Sequence, residues 1–138
     1  MFTLLALLAA APSAPPTEPL AGQLRAAIWY DLQVNAMIGN GNWVGSLWYN
    51  AGREDPNAAD LHIRDLECQS SSDGYRCSFT LFRDGGVTTL LGEHAPDRLT
   101  CGATFVPAKD GDGWAIKHIP PRRVGHSQTT MSCKEKTA

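Results

Sequence analysis

Several stretches of the chain alternate apolar and polar residues with a period of two, which is the pattern of strands that bury one face. These stretches are 61–69, 75–83, 87–91, 99–105 and 114–118. Turn-forming runs rich in Gly, Asp and Ser separate the first pair and the last pair, so each pair predicts a hairpin. Together the five stretches predict an antiparallel sheet of four or five strands.

The segment that precedes the sheet fits two different elements. A helix that begins at Thr17 or Glu18 would place Leu20, Leu24 and Ile28 on one stripe. Residues 28–37 alternate instead, and they fit a strand paired with a second strand at 43–50 across the Gly- and Asn-rich run between them. The pattern leaves these residues open between helix and strand.

We favour the helix, because its stripe is continuous over its first turns. This choice predicts an α+β fold, with an N-terminal helix packed on the four- or five-stranded antiparallel sheet. The alternative is an all-β sandwich or barrel.

The four cysteines indicate a fold stapled by disulfides. Cys68 and Cys77 would stand at facing positions of the first hairpin, where their Cβ atoms come within disulfide range. Cys101 and Cys133 would then form the second bond, although four cysteines permit three connectivities. The chain has no Cys-x-x-Cys pair, and an even number of cysteines in an exported protein favours disulfides over metal ligation. We therefore predict neither a metal site nor a cofactor.

The first residues have the features of an export signal. An uncharged apolar run, Leu4–Ala11, is too short to span a bilayer, and small residues and a Pro-rich segment follow it. We expect residues 1–14 to be a signal peptide and residues 15–138 to form a single domain with a polar C-terminal segment. No Lys or Arg precedes the run, which leaves a short buried or uncleaved anchoring helix as the alternative. Export predicts a periplasmic or extracellular protein with no integral membrane segment after removal of the signal.

The charge distribution narrows the class of partner. The net charge of −2 gives no basic face for phosphates, so nucleic acid is not an expected partner. Residues 114–138 are nevertheless basic, with five Lys or Arg against one Glu. Within this segment, Arg122 and Arg123 are candidate contact residues for an acidic group.

No set of residues has the spacing of a known reaction centre, so no catalytic residues are predicted. The histidines lie far apart in the sequence, without the close pairs of zinc enzymes. An enzyme would have to be assembled by folding, with His62 or His118 brought next to Asp65 or Glu67 across neighbouring strands.

Aromatic residues crowd into the first half of the domain and are the clearest sign of a binding surface. Trp43, Trp48 and Tyr49 are the candidate binding residues, since exposed Trp and Tyr dominate contacts with partners. Alternatively, their rings fill the core. The sequence predicts a non-catalytic binding or inhibitor module, whose partner is a protein, a glycan or a small apolar ligand. The alternative is a small exported hydrolase or metal-dependent enzyme.

Overall fold

The computed structural model describes residues 12–38, 41–55, 57–88, 92, 94–120 and 128–135. In these residues two helices, α1 (Leu20–Ile38) and α2 (Trp43–Glu54), pack on a five-stranded antiparallel sheet. The predicted α+β class is therefore confirmed.

In chain order the strands are β1 (His62–Ser70), β2 (Tyr75–Phe82), β3 (Val87–Thr88), β4 (His94–Ala95), β5 (Arg98–Pro107), β6 (Trp114–Ile116), β7 (His118–Ile119), β8 (Gln128–Thr129) and β9 (Ser132–Glu135). Three of the strands, β1, β2 and β5, have eight to ten residues, and the other described strands have two to four. The sheet has the order β1, β2, β5, β6, and β9 also pairs with β5. Because β2 occupies one edge of β5, both β6 and β9 pair along its other edge. Two separate ladders join β3 to β4 and β7 to β8.

Both predicted hairpins, β1 with β2 and β5 with β6, are present. Their alternation holds, since every second residue is buried from Cys77 to Leu81 in β2 and from Leu99 to Phe105 in β5. The run at 87–91 was expected to join this sheet. Instead, Val87 and Thr88 pair with β4, residues 89–91 lie outside the described residues, and the fifth strand of the sheet is β9.

The strand interpretation of residues 28–37 is wrong, because α1 continues through them to Ile38. The run at 43–50 is likewise helical and forms most of α2. Asn42 caps α2, since its side-chain Oδ1 accepts a hydrogen bond from the Gly45 amide at 3.3 Å. This bond satisfies one of the amide groups that a helix start leaves unpaired.

The core lies between the helices and the inner face of the sheet. Each fully buried large apolar side chain contributes about 1.5–3 kcal/mol by leaving water. The largest of these side chains are Leu24, Ile28 and Leu32 of α1, and Phe79, Leu81, Leu99 and Phe105 of the sheet.

The two disulfides join residues that stand directly opposite each other on neighbouring strands. Cys68 bonds Cys77 between β1 and β2, and Cys101 bonds Cys133 between β5 and β9. The chain-entropy model assigns about 2.5–3 and about 3.5–4 kcal/mol to loops closed by these sequence separations of 9 and 32 residues. The pairing predicted from the sequence is therefore present, and all four sulfurs lie on the buried side.

A short extension leads into the domain along the open edge of β1. Ala14 and Cys68 exchange two backbone hydrogen bonds, of 3.0 and 2.9 Å. Most of the predicted signal peptide, residues 1–11, lies outside the described residues. No helix in the described ranges combines the length and the apolar character of a membrane span.

Candidate functional site: the outer face of helix α2

Helix α2 carries large apolar side chains on two opposite faces. Its inner face buries Trp48, which is 3% exposed, and Tyr49. Its outer face leaves Trp43 and Leu47 exposed at 65% and 67%, with Val44 beside them. Trp43 and Leu47 are four residues apart, so they lie on adjacent turns of the same helix face. We call Trp43, Val44 and Leu47 the outer apolar face.

A shallow pocket of about 210 Å³ adjoins this face. Its apolar lining comes from both layers of the fold, since α2 contributes Val44, Leu47 and Trp48 and the sheet contributes Leu99. Glu135 of β9 also lines it, together with His94 and Ala95 of β4. Glu135 is exposed and is the register partner of the buried Leu99, so the lining has an acidic residue on the solvent side of a buried floor. The pocket is therefore apolar with an acidic group at its edge.

Trp48 forms the inner wall of the pocket and is held rigidly. Its indole Nε1 donates to the carbonyl oxygen of Pro96 at 2.9 Å, and the Arg83 guanidinium lies 5.4 Å from the centre of its ring. Arg83 is itself buried and donates from Nη1 to the carbonyl oxygen of Ala59 at 2.7 Å. Burial lowers the pKa of Arg83 below its ordinary value, since the charged form is less well solvated there. A Cβ at Gly52 would meet this guanidinium at 2.4 Å, so a larger residue there would push the guanidinium out of its present position.

The structure thus divides the candidate binding residues. Trp43 is available for contact. Trp48 and Tyr49 belong to the core, although the edge of Trp48 reaches the pocket. Arg122 and Arg123 lie outside the described residues. The binding roles themselves stay predictions.

A second polar cluster joins α1 to the short β7–β8 ladder. Asp31, which is only 4% exposed, accepts a hydrogen bond from His118 Nε2 at 2.8 Å and another from Thr129 Oγ1 at 2.7 Å. The Thr129 hydroxyl in turn accepts from the Met131 amide at 3.1 Å. Both oxygens of the buried carboxylate are therefore paired, which is what keeps its burial from being costly.

The enzyme alternative required a histidine next to Asp65 or Glu67, and the structure joins His118 to Asp31 instead. This partner could not be predicted from the sequence, because only the long-range fold brings α1 to β7. Asp65 lies in a β-bulge, where the register shifts between Arg64 and Glu67 and its φ is 56°. The bulge therefore interrupts the regular strand alternation between Asp65 and Glu67. Both carboxylates are exposed.

Within the described residues, no group of three or more His, Cys, Asp or Glu side chains is arranged to hold a metal ion. The cysteines of those residues are all in disulfides. A carboxylate that orients a histidine is also the way in which hydrolases prepare a general base. In this protein both Asp31 oxygens are engaged in joining α1 to the β7–β8 ladder, so the packing of the domain accounts for the pair.

The sequence did not identify the pocket beside α2, because its lining comes from three separate parts of the chain. The signal that pointed to the surface was the excess of large apolar residues at 43–49, which exceeds what one buried helix face can absorb. No family model matches the chain, no curated protein is similar to it, and no solved structure matches its fold.

Proposed function

We propose that the chain is an exported, disulfide-stapled and non-catalytic binding module that uses the outer apolar face of α2 to hold a partner protein. The observation that carries this proposal is the exposure of Trp43 and Leu47 on a helix whose opposite face already fills the core. Exposed apolar patches of this kind mark interaction sites, since solvent contact there costs free energy that a partner recovers. The two disulfides agree with export, because such bonds persist in oxidising compartments.

The geometry favours a protein segment over a small molecule at this face. Sites for drug-sized ligands enclose about 300–1,000 Å³. The pocket beside α2 holds only about 210 Å³, and the exposed Trp43 ring lies outside its lining. A protein segment can cover Trp43 and Leu47 while it inserts one apolar side chain into the pocket.

The charge at the rim further defines the partner. Glu135 stands at the edge of the pocket, so a basic side chain next to the inserted apolar one completes the contact. The proposed occupant is therefore a segment in which a Leu or Phe neighbours an Arg or Lys. A glycan and a small apolar ligand are the competing outcomes of the test.

The test starts from the oxidised, mature protein and a displayed library of random peptides. We expect the selected peptides to share an apolar residue beside a basic one. In titrations, Leu47→Ser should weaken their binding by about tenfold or more through lost apolar contact. Glu135→Gln should weaken it by up to about fivefold, the scale of an exposed ion pair.

Met37→Ser is the matched control, because Met37 is an exposed apolar residue on the other helix. Its effect should be negligible. The proposal is overturned if no peptide is enriched, or if Met37→Ser weakens binding as much as Leu47→Ser does. If Glu135→Gln leaves the affinity for the selected peptides unchanged, the proposed basic character of the partner is refuted.

A further inference from the structure

A second and larger cavity lies on a different side of the domain. Its volume is about 850 Å³, which is within the range of small-molecule sites and well above the volume of the pocket beside α2. Its apolar lining comes from α1, both strands of the β5–β6 hairpin and the segment that follows them. The apolar residues are Tyr30, Val106, Pro107, Ala115, Ile116, Ile119 and Pro120.

Two of these residues are large apolar side chains that the fold leaves in contact with water. Tyr30 on α1 is 69% exposed, and Ile119 on β7 is exposed as well. Single exposed apolar residues need no explanation, but these two come from different elements and border one concave space. A ligand with an apolar body would cover both at once.

The wall of the cavity is held in place by polar contacts behind it. His118, next to Ile119, is bonded to the buried Asp31 of α1. The Lys117 amide, at the end of β6, donates to the Thr104 carbonyl oxygen at 2.8 Å. The cavity is therefore formed by elements fixed to each other, which is the preorganisation that lowers the entropic cost of binding.

The charges that border the cavity favour an anion. Among its described lining residues, Lys109 and Lys117 stand against a single carboxylate, that of Asp73. Lys117 is paired with Asp73, which leaves the charge of Lys109, in the exposed turn between β5 and β6, to complement a ligand. A carboxylate or a sulfonate has the complementary charge.

We propose that this cavity binds a small amphiphilic anion: an apolar, flat or chain-like body with one carboxylate or sulfonate group. The body lies between Tyr30 and Ile119, and the anionic group is directed toward Lys109. This site is separate from the outer apolar face of α2, so either one can exist without the other.

The experiment compares two dyes that share an aromatic body and differ in charge, namely anilinonaphthalene sulfonate and phenylnaphthylamine. Fluorescence titration of the oxidised protein should show saturable, one-to-one binding of the sulfonate. Ile119→Ser and Tyr30→Ser should each raise its dissociation constant by about tenfold. Lys109→Met should raise it by up to about fivefold and leave the neutral dye unaffected.

Two variants test whether the dye occupies this cavity. Leu47→Ser alters the pocket beside α2, and Lys134→Met removes an exposed charge from β9. Neither should change the dissociation constant of the sulfonate. Circular dichroism must show the same melting transition for every variant compared. Tyr30→Ser and Ile119→Ser change two different elements, so their dissociation constants test the site independently.

The proposal is overturned by any of three results: no saturable binding, a loss caused by Leu47→Ser rather than by the cavity variants, or equal affinity for both dyes. The last result would leave an apolar site without anion selectivity. Since the peptide titrations with Leu47→Ser concern the other face, failure of one proposal is distinguishable from failure of the other.

Discussion

Asp31 and His118 form a hydrogen bond of 2.8 Å across the interface between α1 and β7, although 87 residues separate them in the chain. The carboxylate lies in the middle of the buried stripe of α1, where an apolar residue would be expected. The pair therefore fixes how the first helix sits against the last third of the chain.

Asp31→Asn should destabilise the domain by about 1–3 kcal/mol, because an amide cannot accept on both sides and leaves one buried polar group unpaired. His118→Gln removes the partner, and the double variant should reveal a coupling energy of about 0.5–3 kcal/mol. The coupling energy is measured by denaturant unfolding of the parent, the two single variants and the double variant. Gln33→Ala, at an exposed position of the same helix, is the control. Additive losses would show that the two side chains do not act as a pair.

The two tryptophans of α2 should respond oppositely to truncation. Trp48→Ala removes a buried ring and its bond to Pro96, and should cost about 3–5 kcal/mol of unfolding free energy. Trp43→Ala removes an exposed ring and should change stability by no more than about 0.5 kcal/mol. Equilibrium unfolding in urea compares them directly. Similar losses in both would contradict the assignment of Trp43 to the surface.

Gly74 closes the first hairpin at a point where no side chain fits. A Cβ there would lie 2.2 Å from the carbonyl oxygen of Phe105, which belongs to the backbone of β5 and cannot move aside cheaply. Gly74→Ala should therefore destabilise the domain by about 1–3 kcal/mol. Gly102→Ala is the control, since a Cβ at that position meets only the Cys77 carbonyl oxygen, at 3.5 Å. If both variants unfold at the same denaturant concentration as the parent, the close approach at Gly74 is refuted.

The Asp73–Lys117 ion pair should make stability depend on pH in the acid range. The hydrogen bond that Asp73 accepts from Lys117 lowers the pKa of the Asp73 carboxyl below its ordinary value of 3.8. Because the folded-state pKa is lower than the unfolded-state pKa, the ionised carboxylate stabilises the fold at pH values above the unfolded-state pKa. This stabilisation is lost as the pH falls through the folded-state pKa. Asp73→Asn should therefore lower the urea midpoint slightly at pH 7, and by less at about pH 2.

The expected difference is small because both side chains are solvated, and salt should reduce it further. Asp84→Asn, in the exposed turn after β2, is the matched control. A parent and an Asp73→Asn variant that lose stability in parallel from pH 7 to pH 2 would rule out the contribution of this pair.

Ala14 contributes two backbone hydrogen bonds to β1, so cleavage of the proposed signal peptide should leave Ala14 in the mature chain. The sequence placed the end of the signal peptide at residue 14, and the pairing with Cys68 favours cleavage at or before the bond between Ser13 and Ala14. N-terminal sequencing of the exported protein should therefore begin at Ala14 or slightly earlier. A first residue of Pro15 would contradict this boundary, and an intact Met1 would contradict cleavage itself.

The sheet could be predicted from the sequence because its strands bury one face and expose the other. In β2 and β5 this produces strict alternation around residues such as Phe79 and Cys101. The cysteine pairing followed from the same register. Strand β9 was not predicted, because Ser132–Glu135 has a single buried residue, Cys133, and so shows no apolar–polar alternation.

The two helices were harder to predict than the sheet, each for a different reason. The apolar stripe of α1 is interrupted in the sequence at Asp31, whose burial depends on His118 and Thr129 far along the chain. The segment of α2 is apolar on both faces, so a one-sided helical stripe is not visible in it. Tertiary contacts explain the first case, and an exposed apolar surface explains the second. Neither cause can be read from local periodicity.

Both helices end before the first cysteine, so no covalent cross-link encloses either of them. The bonds at Cys68 and Cys101 join strand to strand within one layer. The other layer is attached by side-chain packing, by hydrogen bonds such as those of Asp31 and Trp48, and by the single linker that leads from Glu54 into β1. Oxidation consequently cross-links the sheet but leaves the helical layer able to separate from it without breaking a covalent bond. The two layers are therefore expected to differ in amide hydrogen exchange, with the helices exchanging first.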